Sequence, residues 1–322
     1  SSLQAIDIPD SVTSIKSEAF AYCYGLTSIV IPWSVTSIEP DALKTFNLQT
    51  LFIPQHVSET NIPSGAAKIV YTKDADYVTI NQSETGKQTS IVIPETIDNG
   101  TVTVIGDSAF RSCQNLETIV LPSNIKSIEK YAFHGCSALK SIDLPDGVNS
   151  IGSSAFYHCR KLKDINIPRS VSSIGDKTFS YCDSLTSVTI HSNITSINES
   201  TFLGCTALTN ITLSQSITSI GENAFQGCLS LKSIALPSNL KSIGKKAFIS
   251  CVALTNINIP SSVTNIEEGA FTSCIALESI TIPSKVTSIK DYTFYDCTSL
   301  KTAFLPYGAS YGADSIPDST AK

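Results

Sequence analysis

Charge is scarce in this sequence, and none of it is concentrated. Lys, Arg, Asp and Glu make up 16% of the 322 residues, and the formal net charge is −6. No run of Lys or Arg could neutralise a row of phosphates, which argues against a nucleic-acid partner. No apolar stretch approaches the roughly 18 residues that a bilayer-spanning helix needs. No secretory leader opens the chain. Instead it begins inside a repeat, at Ser1-Ser2-Leu3-Gln4-Ala5-Ile6-Asp7-Ile8-Pro9, which predicts a longer parent chain. Only four His occur: His56, His134, His158 and His191. The nucleophile-elbow spacing Gly-x-Ser-x-Gly, the zinc-peptidase pattern His-Glu-x-x-His and the Walker loop are read as missing. So is Cys-x-x-Cys, a common metal-site spacing. No enzyme chemistry, metal or cofactor is therefore expected.

What is present is repetition. Apolar residues make up 42% of the chain, which excludes disorder. Ser and Thr together number 80, which predicts wide surfaces covered by small hydroxyls. From Cys113 to Cys297 the cysteines recur every 23 residues. Phe lies three residues before each, from Phe110 to Phe294, and Leu three residues after, from Leu116 to Leu300. Cys23, Phe20 and Leu26 share the spacing. The unit reads L-x-x-I-x-[IL]-P-x-x-V-x-S-I-x-x-x-A-F-x-x-C-x-x.

Each part of the unit has a local meaning. The I-x-I alternation has period 2 and predicts a strand with one buried face. Pro ends it, because Pro cannot donate to a ladder. The V-x-S-I segment predicts a second short extended piece. The A-F-x-x-C-x-x-L segment places apolar residues every third position, which predicts one or two helical turns. Acids three before Phe, such as Asp107, Asp176, Glu199, Glu222, Glu268 and Asp291, would complement the dipole of such a turn. A unit of this size cannot bury both faces alone, so the expected fold is a stack with shared columns of Leu, Ile, Phe and Cys. Equivalent Cβ atoms on stacked rungs lie near 5 Å apart, whereas a disulfide needs about 3.8 Å. The cysteines are therefore read as buried free thiols acting as small hydrophobes.

The unit resembles the BspA-type, or Treponema-type, leucine-rich repeat, most clearly over Ile119 to Cys136, IVLPSNIKSIEKYAFHGC. The resemblance covers 3–54 and 91–305. It implies an α/β repeat solenoid: a right-handed leucine-rich repeat array with a parallel sheet on one face, and short strands plus short helical turns on the other. It also implies a cell-surface or secreted protein of adhesion or recognition, binding a protein or glycan partner. No catalytic residue belongs to the motif. A structural spacer presenting other domains at a cell surface is the alternative. The chain is expected to be a monomer.

The array divides as 1–54, 55–90, 91–305 and a tail, 306–322. The register is lost over 55–90, which is read either as a degenerate rung or junction, or as an exposed binding loop. Asp98-Asn99-Gly100 sits in an insertion and favours a tight turn. The tail is read as a partial cap or as disordered. On the strand face one outward column carries the scattered charges Glu117, Lys140, Lys163, Lys232, Glu278 and Lys301, which are the candidate ligand contacts. His134 and His158 fall on neighbouring rungs, one position out of register. They are read as surface residues or as a metal pair. Tyr157 and Tyr181 are read as scattered surface residues or as a contact patch on the helical side.

Overall fold

The computed structural model describes residues 6–44, 47–57, 63, 65–191, 193–318 and 320–321. The repeats stack as parallel rungs, and strands form on two faces. The I-x-I strands pair at the 23-residue offset, as Asp164–Ile167 does with Ser187–Ile190. The V-x-S-I strands do the same, from Ser127–Ile128 onto Ser150–Ile151 and onward to Ser173–Ile174. In both sets the inner apolar residue is buried, and the outer residue is mostly polar, with Val92, Val120 and Phe304 as exposed apolar exceptions.

The expected helical turns do not form; the described residues contain no helix. The A-F-x-x-C segment is a run of overlapping turns whose amides alternate in direction. Ala109, Arg111 and Cys113 each donate to the carbonyl three residues back, at 3.1 Å. Ser108, Phe110 and Ser112 instead donate to Lys130, Ala132 and His134 on the next rung, at 3.0, 2.7 and 2.7 Å. An α-helix would commit these amides to its own carbonyls and leave none for a neighbour. The alternation requires positive φ at Ser108 (57°) and Ser112 (62°), each the third residue of a turn, where a type II turn takes φ > 0. Without a helix, the acids before Phe have another role. Asp107 pairs with Lys130 (3.2 Å), Glu199 with Lys177 (3.1 Å) and Glu268 with Lys245 (3.1 Å), each across one rung.

Most rungs carry ordinary residues at these left-handed positions. Ser250 has φ 59°, where Gly135, Gly204 and Gly227 occupy the same place at 76°, 70° and 71°. Ser250→Val should cost about 1–2 kcal/mol, because a β-branched L residue is poorly held there. Ser250→Gly should leave thermal stability near its natural value. The steric relief offsets an unfolded-state entropy gain of roughly 0.5–1 kcal/mol. Thermal unfolding of the two variants checks the contrast.

The core is built of columns. Phe110 through Phe294 are fully buried, and successive rings lie 5.2–5.6 Å apart with planes within 13°. That spacing is offset stacking. The cysteines are free, and all but the half-buried Cys23 are buried. Each thiol from Cys136 onward donates to the Phe carbonyl of the preceding rung, at 3.0 Å for Cys136 to Phe110 and 3.1 Å for Cys205 to Phe179. A Cys is thus small enough for the column and still matches a buried carbonyl. Burial pushes these thiols up, to about 12 for Cys251 and Cys297, which keeps them as inert thiols. Where Thr replaces the Ala before Phe, its buried hydroxyl bonds back three residues, as Thr178 does to Gly175 at 2.6 Å.

Two cores exist, and the strand Thr50–Pro54 serves both. Leu51 and Ile53 face the core of the first rungs, while Phe52 faces the core of the second block. The strand Ala67–Asp74 pairs parallel to it, and turns back antiparallel as Tyr77–Ile80. Tyr77–Ile80 then pairs with Gly100–Ile105, where the second V-x-S-I sheet begins. Residues 67–80 therefore carry the I-x-I sheet of one block into the V-x-S-I sheet of the other. A second hairpin joins Thr96–Ile97 to Gly100–Ile105. Its turn residues Asp98 and Asn99 both have positive φ, as a type I′ turn demands. The Asp98 carboxylate accepts from the Trp33 amide (3.1 Å) and from Lys73 Nζ (3.2 Å). Tyr71 is fully buried beside it and donates its hydroxyl to the Ile31 carbonyl at 2.6 Å.

The tail lays down a partial rung. Ser310–Tyr311 pairs with Ser288–Ile289, the Ser315 carbonyl accepts from the Phe294 amide, and Ile316 is buried.

Candidate functional site

Two long surfaces are open to a partner. The first is the I-x-I strand face, with its column from Glu117 to Lys301. Glu117 is half-buried, and Lys140, Lys163, Lys232, Glu278 and Lys301 are exposed. Their backbones form a ladder: the Lys140 amide donates to the Glu117 carbonyl (2.9 Å), Lys163 to Lys140 (3.3 Å), and Lys301 to Glu278 (2.9 Å). Glu117 and Lys140 pair at 2.7 Å, and that hydrogen bond holds the Glu117 carboxyl below the usual carboxylate range. The Thr members between them are partly occupied, since Thr186, Thr209 and Thr255 donate their hydroxyls to the preceding rung at 3.1–3.3 Å. The six charged residues share a column but do not converge. Three rungs, about 14 Å, separate Lys163 from Lys232.

The second surface is the turn face, and its chemistry is different. Over the rungs from 111 to 181 it carries a continuous ring ladder. His134 stacks on Tyr157 at 4.9 Å, Tyr157 meets His158 edge-on at 4.4 Å, and His158 stacks on Tyr181 at 4.8 Å. Tyr131 meets His134 edge-on at 5.7 Å, and the Arg111 guanidinium stands 5.6 Å from the Tyr131 ring centre. Backbone bonds fix the rungs beneath: Ser112 to His134 and Gly135 to Tyr157 at 2.7 Å, and His158 to Ser180 at 2.9 Å. At the far end Tyr181 lies over Gly204, where a Cβ would meet the ring at 2.7 Å. The out-of-register histidines thus belong to one stack, with the Tyr157 ring in contact with both. Among the described residues no group of three or more His, Cys, Asp or Glu could hold a metal ion.

Burial holds both imidazoles below their usual range, with Arg111 acting in the same direction on His134 and Arg160 on His158. The sign of the pH dependence follows. On acidification the unfolded chain takes up protons first, so the stability these residues contribute is present above about 6.5 and drains as pH falls toward the folded values. Between pH 7 and pH 5, the unfolding midpoint of the natural chain should fall by more than that of a His134→Gln/His158→Gln variant. Equal falls would place both rings in an ordinary aqueous setting.

The sequence reading that no Gly-x-Ser-x-Gly occurs is wrong, because Gly308-Ala309-Ser310-Tyr311-Gly312 has that spacing. A nucleophile elbow needs a strand-to-helix turn with an exposed Ser hydroxyl. Here Ser310 opens a two-residue strand, no helix follows, and the hydroxyl donates to the Thr287 carbonyl at 3.5 Å. The spacing therefore lacks the elbow's setting. The described residues also contain no helix long and apolar enough to cross a membrane.

Stacked parallel strands with Leu, Ile and Phe columns at a 23-residue period define the leucine-rich repeat class of solenoid. Within that class, the family described as the BspA type leucine rich repeat region matches residues 1–68, 83–209 and 195–315, and the chain belongs to it. A leucine-rich repeat protein of T. pallidum shares 32% identity, with a TM-score of 0.50 over 68% of this chain and 91% of that one. One from Eubacterium ventriosum shares 23% identity and the fold, with a TM-score of 0.50 over 81% of this chain and 80% of that one. No curated protein matches.

Proposed function

We propose that this chain is a non-enzymatic recognition scaffold that works at a cell surface or after secretion, where it binds a macromolecular partner, protein or glycan. Membership of the BspA-type family supports the reading. The observation that carries it is mechanical. Both outer faces are held rung to rung by backbone hydrogen bonds, so the backbone that presents their side chains is fixed before a partner arrives. Preordering lowers the entropy lost on binding, which is what an extended recognition surface needs. The structural-spacer role has no observation of its own in its favour.

The test is a binding screen. Immobilised intact chain, presented with host matrix proteins and a glycan array, should capture at least one in a saturable manner, and heat-unfolded chain should not. A screen in which the folded chain retains nothing removes the recognition role.

A further inference from the structure

We infer that the cavity at the corner between the two strand faces, lined by Asp146, Asn166, Pro168, Arg169, Ser170 and His191, binds a neutral sugar through its vicinal hydroxyls; the inference rests on the recognition role above and gives it a place and a ligand class.

The first observation is that three successive rungs depart from the repeat at this corner. Pro follows the I-x-I strand on most rungs, and Ser follows that Pro at Ser123, Ser238, Ser261 and Ser284. Asp146 and Arg169 take the Ser place on neighbouring rungs, and His191 takes the Pro place on the third. Where a longer acceptor stands in the Asp146 place, it closes the next corner. Glu95 accepts from the Ser123 amide at 2.9 Å and from Asn124 at 2.8 Å, and Gln215 accepts from the Ser238 amide at 3.2 Å. Asp146 is one methylene shorter. Its carboxylate makes no hydrogen bond or ion pair among the described residues, and the Arg169 amide has no acceptor among them. The corner therefore stays open, as a cavity of about 360 Å³, a size that suits a small ligand.

The second observation sets the polarity. The side chains of Asp146, Asn166, Arg169 and His191 have no hydrogen-bond or ion-pair partner among the described residues, although all four line one cavity. The other two arginines are engaged, Arg160 with Asp183 (3.3 Å) and Arg111 over Tyr131 (5.6 Å). An ionised Asp only accepts, an Arg only donates, and Asn and neutral His do both. A sugar hydroxyl also does both, so a vicinal pair can donate to Asp146 while accepting from Arg169. An anionic sugar would meet the Asp146 carboxylate, and Asp143 holds the place one rung before Asn166. A cation would meet Arg169. An amino-acid zwitterion would match both charges, but ion pairs open to solvent contribute little, and Asn166 and His191 would stay idle.

The third observation is a fixed frame. The His191 amide donates to the Ile167 carbonyl (3.1 Å) and the Ser170 hydroxyl to the Val148 carbonyl (2.6 Å), which ties the three rungs together around the cavity. Pro168 is buried among them and offers an apolar ring to the C–H face of a pyranose. A frame set in advance lowers the entropy lost on binding.

The experiment presents the full chain, biotinylated and held as a tetramer on streptavidin, to printed neutral glycans ending in mannose, galactose, glucose or N-acetylglucosamine, with uronate- and sialate-terminated glycans beside them. The tetramer supplies avidity to a shallow site. The corner variant is Asp146→Ser/Arg169→Ser/His191→Ser, which installs the residue type of Ser123, Ser238 and Ser214 at these places. The strand-face control is Lys232→Ala/Lys301→Ala. An unchanged thermal midpoint confirms the folding of each; should the triple variant unfold, Arg169→Ser alone, at an exposed position, carries the comparison. The natural chain and the control should retain at least one neutral glycan alike, and the corner variant at least about tenfold less, the loss expected when charge-assisted hydrogen bonds are removed. The free methyl glycoside of the retained sugar should displace it. Its fully O-methylated form, which cannot donate to Asp146, should not. Four results overturn the inference: no neutral glycan retained by the natural chain, equal retention by the corner variant, stronger retention of the acidic glycans, or displacement by the O-methylated form. If the screen above yields a partner that the corner variant still binds, recognition stands and this site falls. If it yields none, both fall.

Discussion

Phe179→Ala should destabilise the fold by about 3–5 kcal/mol, the range for a fully buried Phe truncated in a packed core. The Phe179 ring is wholly buried between Phe156 at 5.5 Å and Phe202 at 5.6 Å, so the substitution opens a void and removes two stacking contacts together. Those contacts contribute about 0.5–1.5 kcal/mol each beyond their area. The neighbouring rungs cannot close over the gap, because their spacing is fixed by backbone bonds such as Phe179 to Thr201 at 2.9 Å. Each rung is stabilised chiefly by its two interfaces, so a mid-array lesion weakens both and lowers the cooperativity of the whole transition. Urea unfolding followed by far-UV circular dichroism measures the loss. A midpoint equal to that of the natural chain would show that the Phe column is not core.

Asp98→Ala should cost on the order of 3 kcal/mol, the low end for breaking a buried ion pair, because the Lys73 ammonium still reaches solvent. The side chains of Asp98 and Lys73 are 4% and 22% exposed, and they meet at 3.2 Å. Alanine leaves the Trp33 amide without its acceptor and the ammonium with only the Asp98 carbonyl. The damage should be local to the place where the two blocks share strands. Limited proteolysis of the variant is therefore expected to cut near the junction before it cuts the 110–300 array. A cleavage pattern identical to that of the natural chain would mean that the pair does not hold the blocks together.

The parts of the fold legible in the sequence are those that period alone encodes. Phe, Cys and Leu at a fixed interval identify inward columns, because a stack brings equivalent residues into register. The turn segment was misread as helical because apolar residues three apart suit a helical turn and a run of overlapping turns equally. The signal that separates the two is present at the residue before Cys, where Gly135, Gly204 and Gly227 alternate with Ser112, Ser250 and Ser273. Recurrent Gly and small polar residues at one place mark a left-handed position. The two-sided strand was not legible, because Leu51-Phe52-Ile53 has the same apolar pattern as Ile91-Val92-Ile93 and Ile119-Val120-Leu121, whose middle Val is 61% and 55% exposed.

The candidate site was less legible. Glu117, Lys140 and Lys163 were found as neighbours because they share a column, yet a shared column does not make a binding centre. The ring ladder crosses columns. His134 and Tyr157 share one, His158 and Tyr181 the next, and Tyr131 lies in a third. Their contact depends on how each turn tilts its side chains toward the following rung, which a linear period does not specify.

The central claim is that the turn face is tied rung to rung as firmly as the strand faces. Native-state hydrogen exchange tests it at the amides of Phe133, Phe156, Phe179, Phe202, Phe225, Phe248 and Phe271, each of which donates to the following rung at 2.8–2.9 Å. Their protection should match that of strand amides such as Ile165 and Val188. If these amides exchange at loop rates while the strands stay protected, the turns are not part of the ladder and the account fails.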